Sequence, residues 1–504
     1  MENRNMRMER RELAAVLALL CLGAVLRLLG LGFFPPGLNQ DEASTGCDAW
    51  ALLVSGMDRN GDSWPVLFTS WGSGQNALYA YVLLPLLALL GRSVTVLRLP
   101  AALLGTLSLF LIWRMGRRHG GPVMGLCALG LLALDPWHLL ISRWALESNL
   151  LPFCLLLGVY FLDLALDGRP WCILPAAAAL ALGLYAYGTA FLFLPLFLLP
   201  CCLLLLRRRF PVLPFLAALG LFILLALPVF LCNLRNLLGM DSGKLLCFTL
   251  PRLTQTRQAA TMSFSLHNLL DTLKLLWRQS DGLPWNSAGP FGLLWGIPGL
   301  ALSLGGLGCS LCRIARRKGE DADLIALFAL AAGLVSCLFI HVNVNRVNFL
   351  FLPLVWCQAE GLAFLWRRFS PALLPCLAAL GAAALMLGNW YVTKGAEKIG
   401  PAFHQGLTEA IAYAESLEPD HIWISGQVNM PYIYVLYETK ADAREFLDTV
   451  RWRNPHGAFR QASSFGKYSF YGQPPEGLCI LPKAEAAEPL AVFGGYAVVF
   501  REKG

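Results

Sequence analysis

The chain has 504 residues, 57% of them hydrophobic and only 14% charged, with a mean hydropathy of +0.57. A soluble protein carries charge on about a quarter of its residues, and uncharged runs of about 20 apolar residues recur here, each long enough to cross a bilayer. A soluble fold is excluded, and the formal charge of +8 is no nucleic-acid footprint, because the basic residues sit in short clusters between the apolar runs. The 15 cysteines fall mostly inside those runs (Cys127, Cys201, Cys202, Cys337), where they act as small hydrophobes and argue against a disulfide scaffold or a zinc site.

A basic cluster, Arg4 to Arg11, precedes an apolar run over roughly 12–32. No small-residue cleavage site comes before Phe33–Pro36, so the run reads as an uncleaved first span rather than a signal peptide. Short loops rich in Lys and Arg stay in the cytoplasm. On that rule Arg114–Arg118, Asp167–Arg169, Arg207–Arg209, Arg313–Lys318 and Arg367–Arg368 lie inside, and Asp41 and Glu42 lie outside. Two apolar runs follow within 75–113, yet two crossings there would carry Arg114–Arg118 to the outside. The shorter run contains Pro85 and is followed by Arg92 and Arg98. It is predicted to lie in the outer interface over 75–91, leaving 95–113 as the second span. The remaining spans are roughly 121–140, 150–166, 172–188, 189–206, 211–232, 289–312, 322–341, 347–366 and 371–391. About eleven crossings result, with a cytoplasmic N-terminus and an external C-terminus. The outward regions are 33–94, 141–149, 233–288 and everything after about 392.

Past residue 391 the composition shifts. "HIWISG", "GLCILP" and "YAVVFRE" read as strands, and "LTEAIAYAESLE" and "MPYIYVLYETK" as helices. The chain therefore divides into a transmembrane domain over 1–391, whose external loop 33–94 carries the acid pair, and a small external α/β domain over 392–504. No internal repeat is visible, which argues against an inverted-repeat transporter.

Ionisable residues inside spans are costly and mark function, and here they gather at the predicted outer boundary. Arg27 lies in the first span and Arg98 opens the second. "DPWHLLISRWALESN" supplies Asp135, His138, Arg143, Glu147 and Asn149. "HVNVNRVN" supplies His341, Arg346 and three asparagines. Each has a plainer alternative. Asp41 can cap a helix starting at Glu42, Glu42 can pair with an arginine, and Arg27 and Arg98 can snorkel to lipid phosphates. Arg143 and Glu147 can form a one-turn ion pair, Arg346 can be a helix-boundary residue, and His138 an interfacial packing group. Their shared depth points to a joint site. Arginines bind phosphate oxygens and stabilise charge on a departing phosphate, and a carboxylate can deprotonate an attacking hydroxyl. Neither ATP nor a nucleotide donor is available outside, so the set fits transfer of a sugar from a polyprenyl phosphate to an acceptor.

Three stretches carry a family resemblance. "NQDEA" after the first span, "VLRLPAALLG" opening the second and "ISRWALESN" in the second external loop resemble motifs of the GT-C class of membrane glycosyltransferases. The similarity is to glycosyltransferase family 39, the dolichyl-phosphate-mannose protein mannosyltransferase type, and to bacterial relatives such as the lipid A aminoarabinose transferases. It covers roughly 10–390 and includes the interfacial helix. The resemblance implies a GT-C fold and an inverting single displacement, with Asp41 as catalytic base, Glu42 its partner and Glu147 the second acidic position. Arg98 and Arg143 would contact the lipid phosphate or organise the acid site, with Arg27 and Arg346 joining them by position. The donor would be a polyprenyl-phosphate sugar and the acceptor a glycan, lipid or protein. A divalent cation at Asp41 and Glu42 stays open, since some relatives use one and others do not. The C-terminal region does not resemble the β-trefoil domain of eukaryotic protein mannosyltransferases. Together these imply a multi-pass enzyme of the plasma membrane. The rival is a transporter or flippase of lipid-linked sugars, which would need polar residues staggered through the bilayer; a third reading is a receptor whose external domain binds a partner.

Overall fold

The protein is described by a computed structural model covering residues 9–71, 73–254, 263–369, 373–455 and 459–502. Helix α1 (Arg10–Leu28) leads through a proline turn to α2 (Gln40–Ser55), the two-stranded hairpin β1 (Leu67–Ser70) and β2 (Ser73–Asn76), and α3 (Leu78–Leu90). The bundle continues with α4 (Val94–Leu134), α5 (Pro136–Ile141), α6 (Leu151–Leu166), α7 (Ile173–Ala186), α8 (Ala190–Arg207) and α9 (Val212–Leu237). After the small hairpin β3 (Gly243–Leu245) and β4 (Phe248–Leu250) come α10 (Leu266–Arg278), α11 (Gly296–Ala315), α12 (Asp321–Cys337), α13 (Phe351–Phe369) and α14 (Leu373–Trp390).

Each predicted span contains a helix, with most ends agreeing to a few residues. Among the described residues six helical stretches are long and apolar enough to cross a membrane by themselves, which makes this a multi-pass membrane fold. The predicted spans 95–113 and 121–140 both fall in α4. It breaks at Gly121 (φ 69°, ψ −167°), a backbone region that essentially only glycine enters. Around that break a Cβ on Gly116 would lie 3.0 Å from Met124 O, so the chain doubles back. The 13-residue α3 is about 20 Å long, short of the roughly 30 Å hydrocarbon core. Helices α11 and α13 approach backbone to backbone: a Cβ on Gly306 would meet Cys357 O at 1.8 Å.

The basic clusters share one end of the bundle. Arg118 reaches Asp163 (3.1 Å) and Asp167 (3.0 Å), His119 bridges Asp163 and Glu320 (2.7 Å each), and Arg208 bonds Asp321 (2.6 Å). Arg313 pairs with Asp323 and with Glu360 (2.9 Å), Arg367 donates to Gly120 O, and Arg117 pairs with Glu12. Residues 4–8 of the first cluster lie outside the described residues. Asp41, Arg98, Arg143 and Glu147 sit at the opposite end.

Residues beyond the bundle form α15 (Ala396–Ala402), α16 (Leu407–Ser416), β5 (Ile422–Ile424), α17 (Pro431–Thr439), α18 (Ala443–Thr449) and β6 (Arg451–Trp452). They are followed by β7 (Ala462–Phe465), β8 (Tyr468–Phe470), β9 (Gly477–Pro482), β10 (Ala491–Phe493) and β11 (Tyr496–Arg501). Seven strands make one mixed sheet in the order β10-β11-β9-β5-β8-β7-β6, with β5 parallel to both its neighbours. All three quoted strands and both helices of the sequence reading are present. The short β6, β7, β8 and β10 are additions to that reading. The domain seats on the bundle through Gly37, where a Cβ would meet Phe403 O at 2.2 Å and φ is +79°. Leu38 N donates to the same oxygen at 2.6 Å.

Candidate active site

The acid pair opens α2, and its two members have opposite surroundings. The helix begins at Gln40 with Asn39 as its N-cap: the Asn39 side chain accepts from Asp41 N, and the Glu42 carboxylate accepts from Asn39 N. This is the reciprocal capping box of an Asn-x-x-Glu sequence. The alternative that Asp41 caps a helix from Glu42 is therefore corrected: the cap is Asn39, two residues earlier.

Glu42 is completely buried. Oε1 accepts from Arg98 Nε at 2.8 Å and Ala145 N at 2.7 Å; Oε2 accepts from Arg98 Nη2 at 2.9 Å and Asn39 N at 3.1 Å. Four donors on two oxygens leave little room for a substrate or a metal ion. It pairs with an arginine, the plainer alternative weighed for it, and braces α2, α4 and the 141–149 turn together. Among the described residues no three His, Cys, Asp or Glu side chains converge as a metal site.

Of the two roles expected for the boundary arginines, Arg98 takes that of organising the acid site. Arg98 is fully buried; beyond its two bonds to Glu42 it donates to Pro35 O and Gly37 O (2.7 Å each) and Leu31 O (3.2 Å). All five of its N–H groups are used. Arg143 donates to Leu26 O (2.6 Å), Leu29 O (3.0 Å) and Phe34 O (3.1 Å), and its guanidinium lies 5.4 Å from the Tyr391 ring centroid. Arg27 donates to Gly23 O, Ala133 O and Leu132 O, and contacts His138 Nδ1 at 2.7 Å. The physical reason is common to all three. Helix ends leave carbonyls without partners, the Phe33–Gly37 turn contains prolines that cannot donate, and buried guanidinium groups satisfy both. Arg346 differs: it is half-buried, and among the described residues it donates to His341 O at 3.1 Å. Glu147 is buried, and its Oε2 accepts from Asn76 N at 2.8 Å, fastening β2 to the turn. His138 packs against Trp137 with ring centroids 5.6 Å apart.

Asp41 is the open member. Its Oδ1 accepts a 3.4 Å bond from Trp71 Nε1, and Oδ2 accepts none among the described residues. Trp71 sits at a positive φ of 55°, and the Arg59 guanidinium lies 5.1 Å from its ring centroid. Arg59 in turn donates to Asp48 Oδ2 (3.0 Å), Ser44 Oγ (2.8 Å) and Ser70 Oγ (3.3 Å). Burial raises the Asp48 carboxyl above its usual range, with Arg59 opposing and Asp58 adding to the rise. Burial also raises Asp62 to about 6. The C-terminal domain closes the notch. Asn429 bonds Gln40, Tyr432 packs edge-on to Trp71 at 6.1 Å, and burial pushes the Tyr434 hydroxyl well up, with Asp41 and Glu42 adding to it. The sequence reading missed Trp71, Arg59 and Asp48. None has a periodic or motif signal, and Trp71 lies 30 positions from Asp41.

Residues 75–233, just under a third of the chain, match the family model described as dolichyl-phosphate-mannose-protein mannosyltransferase. No curated protein matches. Among solved structures, ArnT from Cupriavidus metallidurans in the apo state aligns over 96% of this chain and 97% of its own, at 14% identity and TM-score 0.55. This is the fold of ArnT. The undecaprenyl-phosphate-bound form of ArnT aligns over the same shares, with 14% identity and TM-score 0.54. The archaeal oligosaccharyltransferase AglB from Archaeoglobus fulgidus aligns over 85% of this chain and 63% of its own, at 11% identity and TM-score 0.48. The chain thus resembles the GT-C membrane glycosyltransferases, ArnT and family 39 among them, and the ArnT likeness spans the C-terminal sheet as well as the bundle.

Proposed function

We propose that this protein is a membrane glycosyltransferase that moves a sugar from a polyprenyl-phosphate donor to an acceptor hydroxyl at the outer face of the membrane. The observation that carries the proposal is the contrast within the acid pair: Glu42 is saturated by four donors, whereas Asp41 keeps an oxygen free at the mouth of a notch. The basic clusters at the far end argue, by the positive-inside rule, that Asp41 faces outward. The undecaprenyl phosphate bound to ArnT supports a polyprenyl-phosphate donor.

In this reading Asp41 Oδ2 takes the proton of the acceptor hydroxyl as its oxygen attacks the anomeric carbon. The bond from that carbon to the phosphate oxygen breaks on the opposite face, so the configuration inverts. Polyprenyl phosphate leaves with the electron pair, and Arg346 is the candidate to meet its charge. Trp71 holds Oδ1 and aims the free oxygen. A flippase would need charges along a path through the bilayer; the salt bridges described above gather instead at the bundle's two ends. The test is mass spectrometry of the cell envelope with and without the gene. Loss of a sugar from one envelope component, with build-up of a polyprenyl-phosphate sugar, supports transfer; unchanged envelope and donor pools would refute it.

A further inference from the structure

Helix α10 lies in the region read from sequence as the outer loop 233–288, and it has three distinct faces. At about 100° per residue, Leu266, Leu270, Leu273 and Trp277 fall within about 40° of one line. They are 63%, 47%, 49% and 65% exposed. His267, Asp271, Lys274 and Arg278 line the neighbouring face. The third face is buried, yet two of its residues are polar: Asn268 Nδ2 donates to Ser263 O (2.8 Å) and Leu338 O (3.3 Å), and Thr272 Oγ1 donates to Asn268 O (2.9 Å). An amphipathic helix in a water-surrounded protein turns its apolar stripe to the core. This one turns Leu269, Leu275 and Leu276 to the bundle together with the polar Asn268 and Thr272, and carries a second apolar stripe, Leu266, Leu270, Leu273 and Trp277, that points away from it.

We propose that α10 lies flat in the membrane–water interface, its leucine stripe embedded among phospholipid acyl chains and its charged face at the headgroups. Its depth is fixed by the end of α12. Ser265 N donates to Leu338 O at 2.8 Å, and Phe264 packs on Phe339 with ring centroids 5.3 Å apart. Leu334 and Val335, on the last turn of α12, are themselves exposed. The leucine stripe therefore continues a surface that belongs to a bilayer-length bundle, and the occupant at that level is lipid. Lys274 and Arg278 beside a single Asp271 suit phosphate headgroups.

The test uses the full chain in nanodiscs of phosphatidylethanolamine and phosphatidylglycerol. p-Benzoylphenylalanine replaces Leu270, Leu273 or Lys274, all exposed positions whose replacement leaves the buried face intact. After irradiation, mass spectrometry should find phospholipid adducts at least fivefold more abundant from Leu270→p-benzoylphenylalanine and Leu273→p-benzoylphenylalanine than from Lys274→p-benzoylphenylalanine. Equal yields, no lipid adducts from the leucine positions, or cross-links there mainly to protein would overturn the proposal. None of these outcomes depends on the transferase reading.

Discussion

Glu42→Gln isolates the brace from the chemistry. The substitution keeps shape and removes one charge, and a single amide oxygen then replaces two carboxylate oxygens. Whichever oxygen position becomes the amide nitrogen, two buried donors face it: Arg98 Nε with Ala145 N, or Arg98 Nη2 with Asn39 N. Leaving a buried donor unsatisfied costs about 1–3 kcal/mol, and breaking a buried ion pair by removing one partner costs about 3–5 kcal/mol. These describe the same loss, so a total of about 3–5 kcal/mol is expected. Asp41→Asn loses only a charge near a helix N-terminus and part of one long bond, less than about 1 kcal/mol. Thermal unfolding in detergent, read by intrinsic fluorescence, should therefore show Glu42→Gln melting several degrees below wild type and Asp41→Asn close to it. Equal melting of Glu42→Gln and wild type would refute the brace. So would an Asp41→Asn melt as low as that of Glu42→Gln.

Other positions give independent expectations. Burial lowers His404 to about 4, and its Nδ1 lies 2.6 Å from Tyr496 Oη. A depressed histidine contributes stability that is present above its unfolded value of about 6.5 and lost as pH falls through its folded value. His404→Gln should thus flatten part of the decline in melting temperature between about pH 6.5 and 4. Arg92 sits between the Trp50 and Tyr437 rings (5.4 and 4.8 Å) and donates to Leu436 O and Glu438 O. Arg92→Ala should loosen the docked C-terminal domain, read as faster amide exchange over 431–439. Gly306→Ala should lower the melting temperature more than an exposed helix substitution does. Its new methyl meets a backbone oxygen of α13 that cannot step aside, a strain of about 1–3 kcal/mol.

What the sequence could and could not disclose follows from the kind of signal each feature leaves. Apolar run length located the helices, and the basic clusters, joined in space through Arg118, His119, Arg208 and Arg313, were grouped correctly because charge and spacing are visible in a string. For the arginines of the other end, sequence left two roles open, phosphate contact or organisation of the acid site. A sequence shows that Arg98 and Arg143 lie at a boundary, but not that carbonyls of the first helix's end and of the proline turn accept from them. The Asn39-x-x-Glu42 cap was legible as a pattern, but the acid pair drew attention to catalysis first. Trp71 was beyond reach, since only the folded hairpin of β1 and β2 brings it to Asp41. The stripe of α10 has clear periodicity, and it was lost by treating 233–288 as one loop.

The central claim is that Asp41 is the base of a sugar transfer. Its most direct test is the release of polyprenyl phosphate from a polyprenyl-phosphate sugar by purified Asp41→Asn protein in nanodiscs, beside wild type of matched melting temperature. Loss of general-base catalysis lowers rates by about 100-fold to 10,000-fold, and a fall in that range is predicted. Retention of more than about half the wild-type rate would contradict the assignment.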